Sequence, residues 1–221
     1  MAGVKICGLS KQYTIGGQSF LALDNINLTI KDGSFVAVVG KSGCGKTTLL
    51  RLLCGLEERT AGELHYTREI NDSAPNSSRS SRVGIVFQEP RLMPWLTVQE
   101  NIAFPLLQDK QHKKSKEDKQ KLVDKYIRML GLENFKHAYP SQISGGMAQR
   151  TSLGRTLCFD PDLILMDEPF GALDYFTRKN LQNEMVNLFL NNNKTMVFVT
   201  HDVEEAVYLS QKVVVLNNGR L

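Results

Sequence analysis

An apolar run, Phe35-Val36-Ala37-Val38-Val39, leads directly into Gly40-Lys41-Ser42-Gly43-Cys44-Gly45-Lys46-Thr47 and then a leucine-rich stretch, 48–56. Five consecutive apolar residues without alternation suit a strand covered on both faces, the condition of a parallel sheet under helices. The eight residues that follow match G-x-x-x-x-G-K-[ST] between a strand and a helix, the context this pattern needs. Glycines let the backbone curl so that successive N–H groups aim inward, and a helix N-terminus adds its positive end. Lys46 would then set a point charge against the β- and γ-phosphates of a nucleotide, and the Thr47 hydroxyl could ligate Mg²⁺.

Runs of the same kind return downstream. Leu163-Ile164-Leu165-Met166, Met196-Val197-Phe198-Val199 and Val213-Val214-Val215-Leu216 read as further buried strands, and 203–209 carries a helix-sized apolar stripe. Strands alternating with helices predict an α/β fold, a P-loop-type core on a mostly parallel sheet. Earlier segments differ. Residues 25–30 alternate apolar and polar, and Gly62-Glu63-Leu64-His65-Tyr66 reads as half-exposed, which predicts a small antiparallel β-subdomain. From 97 to about 131 the pattern turns helical: Leu122, Val123, Tyr126, Ile127 and Leu130 lie on one face, Lys121, Asp124, Lys125 and Arg128 on the other. An inserted α-helical subdomain, approximately 88–159, is expected between core segments 1–87 and 160–221, with an exposed loop at 71–81.

Length allows one such unit: 221 residues, 42% of them apolar. A net charge of +4 is too mild to argue for nucleic acid, and the lysine-rich 110–121 reads as the solvated approach to a helix. Cys7, Cys44, Cys54 and Cys158 are scattered without a CxxC pair, which predicts free thiols in a reducing cytosol and gives no metal-binding pattern. Neither a signal peptide nor a bilayer-length apolar run is visible. The expectation is a soluble chain that reaches a membrane process only by docking onto another protein's helices.

Asp167 ends the strand at 163–166, so its carboxylate is delivered to the C-terminal edge of the sheet, where ligands bind in such folds. Mg²⁺ coordination is its expected role, and Glu168 would take a hydrogen bond or a proton from an attacking water. Two adjacent acids at a strand end are often only a solvated terminus; the phosphate loop makes the catalytic reading the better one. Gln88 after the strand-like 83–87 means nothing alone, His201 after 196–200 would by itself read as a helix-start residue rather than a ligand, and Tyr13 could be a partly buried strand tyrosine. Ser144-Gly145-Gly146 forms a second phosphate-binding turn before a helix, roughly 147–157. One chain thus carries two such turns but a single loop lysine and a single acidic pair.

Ile143-Ser144-Gly145-Gly146-Met147-Ala148-Gln149-Arg150, the strand ending Asp167-Glu168-Pro169, and Ala172-Leu173-Asp174 resemble the signature motif, Walker B and D-loop of ATP-binding-cassette (ABC) ATPases. The resemblance extends from Tyr13 to the Asn218-Gly219 turn. It implies ATP and Mg²⁺ as cofactors. Nucleotide contacts would come from Tyr13 stacking on adenine and from Gly40, Lys41, Ser42, Gly43, Cys44, Gly45, Lys46, Thr47 and Thr48. Thr47, Gln88 and Asp167 would serve the metal, and Glu168, His201, Gln88 and Lys46 the chemistry, His201 as the switch histidine on the γ-phosphate.

Ser144, Gly145, Gly146 and Asp174 would close over ATP held by a second subunit. That implies a sandwich homodimer, or a dimer with a related ATPase subunit. Ile143 and Met147 depart from the family's usual Leu and Gln but leave the turn intact. The stretch 87–98, with Pro94-Trp95, looks like the nitrate, sulfonate and taurine group of importers. The resemblance therefore implies the ATP-hydrolysing subunit of an importer on the cytoplasmic face of the cell membrane. Its partners would be transmembrane permease subunits and a solute-binding protein, with no nucleic acid. A regulatory ABC ATPase signalling through a membrane adaptor would carry the same motifs and stays open.

Overall fold

The computed structural model describes residues 2–67, 82–108, 115–171, 173–192 and 194–221. The loop expected at 71–81, the lysines at 110–114 and Ala172 lie outside the described residues. In chain order the elements are β1 (Val4–Ile15), β2 (Gln18–Ile30), β3 (Phe35–Val39), α1 (Lys46–Leu53), β4 (Ala61–Tyr66), β5 (Val83–Val86), α2 (Val98–Gln108) and α3 (Lys116–Met129). They continue with α4 (Gly145–Cys158), β6 (Leu163–Asp167), α5 (Tyr175–Asn192), β7 (Thr195–Thr200), α6 (Val203–Leu209) and β8 (Lys212–Val215).

A three-stranded sheet, β2-β1-β4, is antiparallel, while β5-β6-β7-β3-β8 is parallel at every pairing. β3, β6 and β7 are buried at every residue, which is why they read as unbroken apolar runs. Successive side chains point to opposite faces and so feed two cores. Phe35, Ala37, Met166 and Phe198 pack with Ile102, Val123, Leu153 and Met185 of the helices. Val36, Val38, Leu165 and Val199 pack with Leu49 and Leu53 of α1 and with Ile6 and Ile26 of the antiparallel sheet. Each fully buried aliphatic or aromatic side chain contributes roughly 1.5–3 kcal/mol, so the central strands are the stablest part of the layout.

Three expectations change. Val213–Leu216 is not a buried strand throughout: β8 is an edge strand whose Val213 and Val215 are exposed, Val215 at 63%. Among the described residues, the helical pattern over 97–131 comprises two helices, α2 and α3, the second capped by the Ser115 side chain accepting from the Asp118 amide. The helix after the second phosphate turn begins at Gly145, because Ser144 caps it by accepting from the Met147 amide at 3.3 Å. Parallel pairing brings the C-terminal ends of β5, β6, β7 and β3 to one edge, and with them residues 88, 167–168, 201 and 40–47.

Candidate nucleotide site

The loop after β3 is wound against its surroundings. A Cβ at Gly40 would lie 2.3 Å from the Leu216 carbonyl oxygen, and one at Gly45 would lie 2.6 Å from that of Ala22. Gly45 also has φ +104°, outside the range an L side chain adopts easily. Lys46, at the start of α1, is 6% exposed and donates from Nζ to the carbonyl oxygens of Gly40 and Lys41, at 2.8 and 3.0 Å. Its ammonium thus sits inside the curl.

Thr47 Oγ1 donates to Asp167 Oδ1 at 3.2 Å, joining α1 to the end of β6. Burial pushes the Asp167 carboxyl above the usual carboxylate range; the Thr47 hydrogen bond opposes this and neighbouring Glu168 adds to it. A buried carboxylate facing a hydroxyl is a donor set that suits a hard divalent cation. The described residues contain no cluster of three or more acidic, histidine or cysteine side chains able to hold a metal alone. Mg²⁺ needs no such cluster, because it keeps waters and phosphate oxygens as most of its ligands.

Glu168 holds a left-handed backbone, φ 45°, with its amide donating to the Val199 carbonyl at 3.0 Å. Such a conformation costs on the order of 1–3 kcal/mol in a residue with a side chain and persists where the surroundings impose it. The turn aims the carboxylate between two side chains that follow other strands, β5 and β7. Gln88 Nε2 approaches Glu168 Oε2 at 3.5 Å, and His201 Nδ1 lies 3.3 Å from Glu168 Oε1. Gln88, Glu168 and His201 therefore converge, beside the Thr47–Asp167 pair; Gln88 is directed at Glu168.

Tyr13, near the end of β1, donates from its hydroxyl to Glu57 Oε2 at 2.7 Å. Lys11 Nζ lies 3.2 Å from the same oxygen and 4.8 Å from the Tyr13 ring centroid, and Arg51 Nη1 is 3.5 Å from Glu57 Oε1. The Tyr13 hydrogen bond holds the Glu57 carboxyl below the usual range, with Lys11 adding to the effect. Glu57 went unread in the sequence because an acid just beyond a helix end has no pattern of its own.

The second turn is separate from this cluster and open. Ser144 and Gly145 are exposed, and a Cβ at Gly145 would meet nothing within 4 Å. Ile143 and Met147 turn inward and pack on the apolar cluster beneath. Asp174 caps α5, its Oδ1 accepting from the Thr177 amide at 3.1 Å. α4 also grips the segment around Gln88: Gln149 Nε2 donates to the Phe87 carbonyl at 3.0 Å, and Arg155 to those of Arg91 and Pro90 at 2.9 and 3.0 Å. Arg155 was not singled out in the sequence, since one arginine on a helix gives no hint of which carbonyls it reaches.

Residues 23–171 match the model of the ABC transporter family. The chain is 44% identical over 215 residues to the aliphatic sulfonates import ATP-binding protein SsuB of Bacillus cereus, covering 97% of this chain and 81% of that protein. It is 44% identical over 220 residues to the bicarbonate transport ATP-binding protein CmpC of Synechococcus elongatus, covering 98% of this chain but 32% of that longer protein. Among solved structures, the dimeric post-hydrolysis state of an ATP-binding cassette bound to ADP and Pi superposes with a TM-score of 0.87 at 34% identity, over 99% of this chain and 96% of that one. With a phosphate loop, an acidic strand end and an open Ser-Gly-Gly turn on one parallel-sheet scaffold, this chain belongs to the ABC transporter family.

Proposed function

We propose that this chain is the ATP-hydrolysing subunit of an importer of the nitrate, sulfonate and taurine type. ATP would close two copies, or one copy and a related subunit, and hydrolysis would reopen them to drive separate membrane subunits. The observation that carries the reading is the convergence of Gln88, Glu168 and His201 beside the Thr47–Asp167 pair, within 3.5 Å at each contact.

The loop amides and Lys46 bind the phosphates, with Lys46 exchanging loop carbonyls for phosphate oxygens. Thr47 and Asp167, with help from Gln88, would hold Mg²⁺, which would supply neutralising charge to the phosphates. Glu168 accepts a proton from a water that attacks the γ-phosphorus in line; the bond to the β-phosphate oxygen breaks and ADP leaves. His201 orients the γ-phosphate. Ser144 and the turn amides of the second subunit complete the charge stabilisation, and Asp174 crosses near them. Tyr13 stacks on the base, its ring direction set by Glu57.

The helical segment 88–159 is read as the subdomain that meets the permease, with the rest as nucleotide-binding core. Trp95 is 71% exposed on a turn that Asn101 fixes through hydrogen bonds to Met93, Leu96 and Thr97. A partner helix at the cytoplasmic face of the membrane would dock at this exposed ring; a solute-binding protein would complete the assembly. Among the described residues no helix is long and apolar enough to cross a bilayer. The stated roles of the two named relatives favour transport over a regulatory role.

The test is Glu168→Gln. The variant should bind ATP, accumulate as a dimer on size exclusion and lose turnover by about 10³-fold, roughly 4 kcal/mol of transition-state stabilisation. Normal hydrolysis by it would remove Glu168 from the mechanism.

A further inference from the structure

We infer that Glu205 is a positioning residue for hydrolysis, holding His201 in place through Thr200 and tying it to the helix that starts after Asp174. The inference rests on the role of His201 proposed above.

His201 has little packing of its own. Its side chain is 63% exposed, so its place is set by the backbone that carries it. That backbone is pinned on both sides by one hydroxyl: Thr200 Oγ1 accepts from the Asp202 amide at 3.1 Å and donates to Glu205 Oε2 at 2.7 Å. Asp202 Oδ1 in turn accepts from the Glu205 amide at 3.1 Å, capping α6. The ring of contacts closes around His201.

The other carboxylate oxygen of Glu205 accepts from Gln182 Nε2 at 3.0 Å. Thr200 and Gln182 are both 2% exposed and Glu205 is 7% exposed. Burying a carboxylate costs free energy that neutral donors only partly return, and an aliphatic side chain would fill the same space without that cost. What the carboxylate supplies that an aliphatic could not is a two-sided anchor, with one arm on the strand end before His201 and the other on α5. Gln182 lies about two turns, roughly 12 Å, along α5 from Asp174. The histidine over one nucleotide is thereby linked to the segment that reaches toward the other.

Steady-state ATPase assays on the full chain test this. Glu205→Gln keeps the shape but cannot accept from both donors. It should lower kcat by about 20-fold or more with KM within about twofold, and Thr200→Val should reproduce that split. In a His201→Ala background, adding Glu205→Gln should cost less than about twofold further, because both act through one group. The exchange Glu205→Gln with Gln182→Glu, which restores a donor–acceptor pair, should recover most of the loss. A Glu205→Gln variant with normal kcat, or losses that multiply in the His201→Ala background, would overturn the inference. Full turnover by His201→Ala alone would instead overturn the reading of His201, and the inference with it.

Discussion

Two turns in this chain look alike in sequence and are built in opposite ways. Gly40–Thr47 is closed: added Cβ atoms at Gly40 and Gly45 would strike backbone oxygens of the chain itself, and Lys46 fills the centre. Ser144-Gly145-Gly146 is open: Gly145 borders empty space and Ser144 is exposed. At Gly40 and Gly45 in the first turn the chain's own packing requires glycine. At Gly145 in the second, the chain's own packing makes no demand for it, which leaves space that the proposed sandwich would use. One turn is packed against the chain itself, and the other is the one proposed to close over a partner's nucleotide.

The largest effect should come from Gly45→Ala. A side chain at φ +104° and 2.6 Å from the Ala22 oxygen forces the backbone to move, at a cost of about 3 kcal/mol or more. At this chain length that lowers Tm by roughly 6–12 °C in a melt without nucleotide. Gly145→Ala should leave Tm within about 2 °C, since alanine at an open first helical position relieves backbone entropy. Its turnover should nevertheless fall about 100-fold, close to 2.7 kcal/mol, if the new methyl occupies the face proposed to meet the partner's phosphate. If Gly145→Ala instead unfolds the chain, or Gly45→Ala melts normally, the contrast between the turns is wrong.

Met147 sharpens the boundary of the open turn. It follows the turn directly, yet its side chain packs on the core beneath together with Ile143. Met147→Gln, which restores the residue common in the family, exchanges an apolar contact for an amide. It should cost about 1 kcal/mol, a fall in Tm of roughly 2–4 °C, with turnover changed less than about threefold. A tenfold rise in turnover would place position 147 on the exposed face.

The same contrast explains what could be read before the structure. Strands buried on both faces, β3, β6 and β7, announce themselves as unbroken apolar runs, and the motifs at their ends follow. β1 was missed because register shifts between Ile6 and Leu9 and again before Lys11 break its alternation. α5 was missed for another reason: Leu181, Met185, Leu188 and Phe189 have helical spacing, but exposed Phe176 and Leu190 blur the stripe. β8 looked central because its valines are consecutive; its edge position leaves Val213 and Val215 without a covering layer. At the site, motif residues were legible through spacing, whereas Glu57, Arg155 and the Glu205 anchor act through contacts between segments far apart in the chain.

The smallest expected effect on stability is a matter of pH. Burial raises the Asp167 carboxyl above its unfolded value, more than the Thr47 hydrogen bond lowers it. A raised folded pKa means that the folded state holds the proton more tightly than the unfolded chain does. Stability from this group is then full below the unfolded carboxylate pKa, near 4, and is lost as pH rises through the folded pKa. Above the folded pKa the free subunit would carry an ionised Asp167 at a cost, which a cation bound with nucleotide would offset. Asp167→Asn removes that cost. Without Mg²⁺ or nucleotide, the variant should melt about 2 °C higher than the parent at pH 7.5, and the gap should close as pH falls toward 4. Its ATPase should be lost at every pH. Gly145→Ala, in the turn that holds no buried charge, should show no such pH-dependent gap. A constant Asp167→Asn difference across the range would mean that the closed turn is not poised for a cation in this way.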